Sequence, residues 1–229
     1  MLQLSSTAKR LGASLLLLLA FLVVYGFFVQ PWHMRWGATD AEIAMALPGD
    51  PFIPPTTVVS TRAITIHAPS TQVWAWLVQL GQNHGGFYSY DWLENLFLAQ
   101  MHNADRIVPE WQNPQVGDDV TMMANPPPMS IAKIALLDPG RALVLKGGWA
   151  FYLQPLDAQT TRLIVRYASF PVKGSWTAAL FYYPIFEPAH FIMEAGMMLG
   201  IKQRAEAAMS TPAPKPNDPL LLLAKEARP

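Results

Sequence analysis

The feature that most constrains this chain is an uncharged apolar run close to its N-terminus. Leu11–Val29 contains no charged residue and includes the unbroken leucine stretch Leu15–Leu19. At a rise of about 1.5 Å per residue, such a helix crosses most of a hydrocarbon core of about 30 Å. Tyr25 and Trp32 lie near its end, where amphipathic rings favour the membrane interface. The run predicts a transmembrane anchor over residues 11–30, preceded by a short segment, residues 1–10.

A cleaved signal peptide is the alternative interpretation of the same run. Lys9 and Arg10 would then form its basic n-region. However, the run is long for an h-region, and no small-x-small cleavage pattern follows it before the bulky stretch Gln30–His33. We therefore expect a retained, single-pass anchor. Lys9 and Arg10 favour a cytoplasmic N-terminus, but Arg35 on the other side makes the charge difference small, so the side of the domain stays open.

Composition narrows the class of the remaining chain. With 229 residues, there is room for one domain of ordinary size besides the anchor. The 16 basic residues balance the 16 acidic ones, so no nucleic-acid partner is expected. Absence of cysteine excludes disulfides, thiolate metal sites and cysteine nucleophiles. Apolar residues make up 52% and charged residues only 14%, against about 25% charge in typical soluble domains, which predicts a broad apolar interior.

Hydrophobic periodicity then divides the chain after the anchor. Residues 31–57 read as a connector that several prolines interrupt. Thr61–His67 alternates like a strand, and apolar residues from Val73 to Leu80 recur at helical spacing until Gly81. A second short helix fits Tyr90–Gln100.

From Val116 onward the period changes to two. The predicted strands are Asp119–Ala124, Ser130–Leu137, Ala142–Lys146, Trp149–Leu156 and Thr161–Phe170. Arg162 and Arg166 alternate with apolar residues in the last strand, which predicts a sheet with one face in solvent. A long helix, Pro188–Ala208, and a proline-rich tail, residues 210–229, follow. This order predicts an α+β domain over residues 58–209, with the sheet curved around the last helix.

Local residues resemble one known family. In Ile64–Leu77 a strand ends in Ala-Pro and a helix begins with a Val-Trp pair, which resembles the START/Bet v 1-like (SRPBCC) helix-grip family. Gly85–Asn95, His102–Trp111 and Glu187–Glu194 are similar to a group of bacterial, mostly uncharacterised members of that family. The resemblance covers about residues 61–208. It implies a helix-grip fold with a hydrophobic cavity between sheet and last helix, and it implies no catalytic residue because the family shares no catalytic set.

The last helix carries polar residues on its predicted inner face. Helical geometry places eight residues in one sector, namely Glu187, His190, Phe191, Glu194, Met197, Met198, Ile201 and Ala205. His190 and Glu194 would be buried and would need partners. They are interpreted first as structural or cavity hydrogen-bonding groups and second as groups that orient a ligand. Glu187 and His190 also have Glu-x-x-His metal spacing, but no second such motif exists, so neither metal nor cofactor is expected.

Two further clusters have both a structural and a functional interpretation. His102–Arg106 is expected to brace the connection from helix to sheet, with Arg106 pairing Asp91 or Asp105, and alternatively to form a polar rim of the cavity. The second cluster is aromatic, and such residues are most often core, although pockets for apolar ligands use the same types. Its members are Phe87, Tyr88, Tyr90, Trp92, Trp149, Phe151 and Tyr167. The candidate cavity residues are Tyr88, Tyr90, Trp92, Trp149, Phe151, Tyr167, His190, Glu194, Met197 and Ile201.

These features favour non-enzymatic binding or transfer of a lipid-like or other hydrophobic small molecule beside a membrane. The expected partners are the lipid bilayer and that molecule. One alternative is a cyclase-like or hydrolytic enzyme using His190, Glu194 or Asp91 as acid or base. Another is an accessory subunit of a membrane protein complex that binds no ligand.

Overall fold

A computed structural model gives the fold of most of the chain. The predicted tail lies outside the described residues, apart from Ser210. Residues described are 6–55, 57–125, 127, 130–171, 175–177 and 182–210.

The N-terminal apolar run is helical, as predicted. Helix α1 (Ser6–Val24) continues through a π-helical turn (Tyr25–Val29) into α2 (Gln30–Met34). Within the described residues, Arg10–Met34 is the one helix that is long and apolar enough to cross a membrane. It runs past the predicted end, and Pro31, which has no N–H, lies directly after the π-helical turn, where the regular α-helical hydrogen-bond pattern is already interrupted.

A single antiparallel sheet forms the centre of the domain. The strands are β1 (Thr57–Ile66), β2 (Asp119–Thr121), β3 (Ile131–Asp138), β4 (Ala142–Leu145), β5 (Trp149–Asp157) and β6 (Thr160–Pro171). Among the described residues their spatial order is β1-β6-β5-β4-β3-β2, so the first strand closes the meander by pairing with the last. Together with the long C-terminal helix, Glu187–Ser210, this is an α+β helix-grip fold, which confirms the predicted class.

Helices after α2 cover both faces of this sheet. The predicted helix Tyr90–Gln100 is only Asp91–Leu96, because Leu98 and Gln100 have φ of 62° and 51°, outside the right-handed helical region. The helix bounds are α3 (Asp40–Ala44), α4 (Ser70–Leu77), α5 (Asp91–Leu96) and α6 (Glu187–Ser210), with 3₁₀ turns at Asp50–Phe52 and Pro109–Trp111 and a π turn at Tyr182–Phe186.

The main core lies between the inner face of the sheet and helices α4 and α6. Met197, Met198, Ile201 and Ala205 of α6 are buried there against strand residues such as Phe151. The predicted inner sector of the last helix is therefore confirmed. Burial of this apolar surface, at about 25 cal/mol per Å², is the main stabilising contribution to the domain.

Around Arg162 and Arg166 the outer face of the sheet is not in solvent, so the prediction made from these two residues was wrong. The connector folds across it and forms a second apolar cluster around Leu47, Ala63 and Ile164. Arg166 is buried beneath the connector, where it donates to the Asp50 carboxylate at 2.7 Å and to several connector carbonyls. Acceptors supplied by the connector replace water around the guanidinium, which is why a charged residue is tolerated there.

The last helix passes unusually close to the loop before α5. A Cβ on Gly200 would lie 2.0 Å from the Tyr88 carbonyl oxygen, and one on Gly196 would lie 2.8 Å from Ser89 Oγ. Ser89 Oγ donates to the Met193 carbonyl at 3.0 Å. The two glycines thus let this loop pack on α6, which fixes the position of α5 relative to the last helix.

Candidate functional site

A buried arginine organises the end of the domain nearest the N-terminal helix. Arg62 lies on the inner face of β1, with 1% of its side chain exposed, and its Nη1 donates to Glu194 Oε2 on α6. Its Nε donates to the His33 carbonyl at 2.8 Å, and its Nη2 lies 3.9 Å from Glu187 Oε1. Each charge therefore has a partner of opposite sign or a carbonyl acceptor, as buried ions require.

The N-terminal helix enters the same network. Tyr25 donates its hydroxyl to Glu187 Oε2 at 2.7 Å, and His33 Nδ1 lies 2.6 Å from Glu187 Oε1. His33 and Glu187 are each 2% exposed. The far end of the apolar helix is consequently part of the domain's interior, joined to β1 and α6 through Glu187.

A cavity of about 240 Å³ lies next to this network, between the sheet, α5 and α6. Its walls are mainly apolar and rich in methionine, a flexible side chain that fits irregular surfaces. The lining residues are Phe87, Glu94, Met101, Met122, Trp149, His190, Met193, Glu194 and Met197.

Two of the polar lining residues already have partners. Glu194 Oε1 accepts a hydrogen bond from Trp149 Nε1 at 2.9 Å, while its Oε2 is held by Arg62. His190 Nδ1 lies 3.5 Å from Arg62 Nη1, and because arginine only donates, Nδ1 must be the acceptor. Burial, partly opposed by the Glu194 charge, lowers the pKa of His190 to about 4. His190 is therefore neutral at pH 7 and stacks on Tyr167 at 3.9 Å between ring centroids.

The third polar lining residue, Glu94 of α5, is different. Its Oε2 is buried and accepts no hydrogen bond from any described residue. Burial, reinforced by the nearby Asp91 carboxylate, raises the pKa of Glu94 to about 7. A buried carboxyl oxygen that lacks a protein partner and lines a cavity is a free acceptor for a bound molecule.

The structure separates the predicted cavity residues into groups. Trp149, His190, Glu194 and Met197 line the cavity. Phe151 and Ile201 lie in the core, and Tyr167 contacts the cavity only through His190 and Trp149. The other three lie elsewhere: Tyr88 is buried and donates to the Trp76 carbonyl, whereas Tyr90 and Trp92 are 42% and 71% exposed.

Sequence reasoning missed several functional candidates. It did not select Glu94, Met101, Met122 and Met193 as cavity residues, nor Arg62 and His33 as members of the network. A signal for Arg62 existed, because it lies two positions before Ile64 and four before Ile66 on an alternating strand. No comparable local pattern identifies the methionines, which come together only through tertiary packing.

The His102–Arg106 stretch braces the loop before α5 through Asn103, but among the described residues Arg106 pairs with neither Asp91 nor Asp105, contrary to the prediction. Asn103 donates to the Ser89 carbonyl at 3.0 Å and accepts from the Tyr88 amide at 2.5 Å. Asp91 bonds to Asn103 rather than to Arg106, which is exposed. Asp91 therefore contributes to a surface depression beside Tyr88 and not to the cavity.

The Glu187 and His190 pair does not converge on a metal position. Glu187 faces His33 and Arg62, whereas His190 faces the cavity. In the part of the chain that the structure describes, no group of three or more histidine, aspartate and glutamate side chains is arranged to hold a metal ion.

Comparison with known proteins finds similarity to solved structures only. No protein-family profile and no curated protein sequence matches the chain. A polyketide-cyclase-like protein from Corynebacterium glutamicum, solved by NMR, is 17% identical over 76% of this chain and 96% of its own, with a TM-score of 0.32. A conserved protein of unknown function from Enterococcus faecalis is 13% identical over 77% and 90%, with a TM-score of 0.38. Values this low carry no information about ligand or activity.

Proposed function

We propose that this chain is a membrane-anchored protein whose domain binds a compact apolar molecule in the cavity between sheet and α6. The observation that carries the proposal is the methionine- and aromatic-lined space of about 240 Å³ with a few polar groups. Ligand pockets in general are apolar with a few placed polar groups, and pockets for drug-sized ligands measure about 300–1,000 Å³. The smaller volume favours a short alkyl chain or a single ring system over a sterol.

The anchor is proposed to remain attached and to hold the domain against the bilayer. Tyr25 and His33 make buried contacts with Glu187, so removing the helix would leave that carboxylate without two of its partners. An unpartnered buried charge is costly, which argues for retention over cleavage as a signal peptide. The exposed apolar side chains before Tyr25 are then covered by lipid.

The two alternative functions have less support. The residues on which the enzyme alternative depends are held by the protein or lie elsewhere: both Glu194 oxygens accept hydrogen bonds, His190 Nδ1 faces Arg62, and Asp91 lies outside the cavity. An accessory subunit without ligand would not need the apolar space of about 240 Å³ between the sheet, α5 and α6.

Native mass spectrometry of the full-length chain released from phosphatidylcholine nanodiscs tests the binding proposal. Met197→Trp places a larger ring in the cavity, and Met209→Trp is the matched control because Met209 lies exposed on the same helix. We expect one small apolar molecule, or one added octanol, to remain bound to the wild type and to Met209→Trp but not to Met197→Trp. Absence of bound molecules from all three proteins, or equal retention by all three, would overturn the proposal.

Membrane attachment has its own test. The full-length protein should remain in the membrane fraction after alkaline carbonate washing, and its N-terminus should begin before Leu11. A mature chain that begins after Gln30 would show that the run is a cleaved signal. Reporters fused to Pro229 then determine the side of the domain, which we propose to be opposite the cytoplasm because of Lys9 and Arg10.

A further inference from the structure

We propose that the apolar molecule bound in the cavity carries a hydrogen-bond donor, an amine or a hydroxyl group, that Glu94 accepts, and that carboxylates and phosphates are excluded. This inference rests on the proposed function and specifies its ligand class. Its basis is the buried Glu94 Oε2, which lines the cavity and has no hydrogen-bond partner among the described residues.

The remaining polar groups of the cavity also favour a hydrogen-bond donor over an anion. Glu194 is ionically paired to Arg62, so its own acceptor capacity is largely used. His190 lies 4.0 Å from Glu194 through Nε2, the nitrogen that carries the proton of the neutral ring when Nδ1 accepts from Arg62. Among the described lining residues none is lysine or arginine, so a carboxylate or phosphate would enter without a free cation.

Arg62 does not provide that missing cation. Its guanidinium is 1% exposed, lies behind Glu194, and is already shared among Glu194, Glu187 and the His33 carbonyl. An anionic ligand would have to displace a buried carboxylate to reach it, which leaves an uncompensated charge. A donor bonded to Glu94 instead satisfies a buried lining oxygen, Oε2, that has no hydrogen-bond partner among the described residues.

The charge state of Glu94 should also distinguish amine ligands from alcohol ligands. The charged group that acts on it is Asp91 on its own helix, and Glu194 and neutral His190 of α6 line the same cavity. A protonated amine benefits from a charged Glu94, whereas a hydroxyl binds either form of the carboxyl group. Because its pKa is raised to about 7, amine binding should strengthen from pH 6 to pH 8, while alcohol binding should change little.

The experiment uses three probes of equal chain length: octylamine, octanol and octanoate. They are titrated against the full-length chain in phosphatidylcholine nanodiscs, with ¹³C-methyl methionine signals as the readout. Met101, Met122, Met193 and Met197 line the cavity, and exposed Met209 reports on binding elsewhere. Glu94→Gln removes the charge while keeping the shape, and Glu110→Gln on the exposed 3₁₀ turn is the matched control.

The expected result is saturable shifts of the cavity methionines by octylamine or octanol, with an affinity about tenfold or more above that of octanoate. Glu94→Gln should reduce the preference for amine over octanoate about tenfold, and Glu110→Gln should not. Octanoate binding as tightly as both donors would overturn this inference while leaving cavity binding intact. If no probe shifts the cavity methionines, the proposed function itself fails. If Glu94→Gln does not fold, Glu94→Asp replaces it as the test. Its carboxylate is one methylene shorter and lies farther from the ligand, so octylamine binding must weaken.

Discussion

Arg62 and Glu194 form an ion pair across the space between the first strand and the last helix, with about 1% of each side chain exposed. Glu194 also accepts from Trp149, whose ring lines the cavity, and Arg62 also donates to the backbone of His33 on the N-terminal helix. This single pair therefore connects the N-terminal helix, the sheet and the wall of the cavity.

Replacing one member of that pair should lower the free energy of unfolding more than replacing both. Arg62→Met leaves the Glu194 and Glu187 carboxylates buried beside an apolar side chain, so we expect a loss of about 3–5 kcal/mol in unfolding free energy. Arg62→Met combined with Glu194→Gln should recover part of it. Denaturant unfolding is the measurement. Lys133→Met, which breaks the exposed pair with Asp119, should change stability by less than about 1 kcal/mol, and an equally small effect of Arg62→Met would contradict the account.

A methyl group at Gly200 should destabilise the domain. Alanine normally favours a helix over glycine by about 1 kcal/mol, but here the added Cβ would lie 2.0 Å from the backbone oxygen of Tyr88. We expect the steric overlap to outweigh the gain in helix propensity, so that the unfolding free energy from thermal melts falls by about 1–3 kcal/mol. The comparison is Leu199→Ala, one position earlier on the exposed face of α6. A stabilised Gly200→Ala would show that the loop and helix are farther apart than described.

The buried carboxyl of Glu94 should make stability depend on pH. Its pKa rises from 4.5 to about 7 on folding, so its favourable contribution is complete below pH 4.5 and is lost as the pH rises through 7. Glu94→Gln does not titrate at this position, so its stability should not fall in this way as the pH rises. Relative to wild type it should gain about 1–2 kcal/mol between pH 4.5 and 7.5, after allowance for partial solvent exposure.

His190 gives the stability a pH dependence of the opposite sign. Because its pKa is lowered, its contribution to stability is lost as the pH falls from 6.5 towards 4. Both proteins contain His190, so its contribution cancels in the difference between them. Thermal melts at closely spaced pH values provide the measurement. A difference between Glu94→Gln and wild type that is independent of pH would place Glu94 in solvent.

The junction between helix and domain should depend on His33. His33→Leu introduces an apolar side chain of similar size and removes a partner of buried Glu187, so we expect a loss of about 2 kcal/mol in unfolding free energy. Arg35→Leu, two positions later, breaks only an exposed pair with Asp40 and should be nearly neutral. Thermal unfolding of both full-length variants in nanodiscs checks this. Equal stability of the two variants would mean that the helix end is not part of the interior.

The periodic elements of this fold were predictable because each depends on local spacing. The alternation in β6 and the helical sector of α6 both appear in the structure, with small changes at their ends. The covering of Arg166 by the connector was not predictable from β6 itself. It depends on Asp50 and on carbonyl groups more than 100 positions earlier in the chain, which alternation within a strand does not report.

The candidate site was predictable only in part, for the same reason. Trp149, His190, Glu194 and Met197 lie on long regular elements, so their inward direction follows from periodicity. Glu94 lies on a helix of only six residues, too short for its facing direction to be read from the pattern. Its importance comes from what surrounds it, namely burial and the absence of a partner among the described residues.

Locating a heavy atom in the cavity would test ligand binding most directly. Crystals of the full-length protein grown in a lipid mesophase and soaked with 8-bromo-octanol give an anomalous signal at the bromine position. We predict that signal between β5 and α6, next to Phe87, Trp149 and Met197, with the hydroxyl directed to Glu94, and its loss in Met197→Trp. A cavity that stays without ligand density, or bromine only on the exposed surface around Trp92 and Phe97, would contradict the proposal that this domain binds an apolar molecule inside its fold.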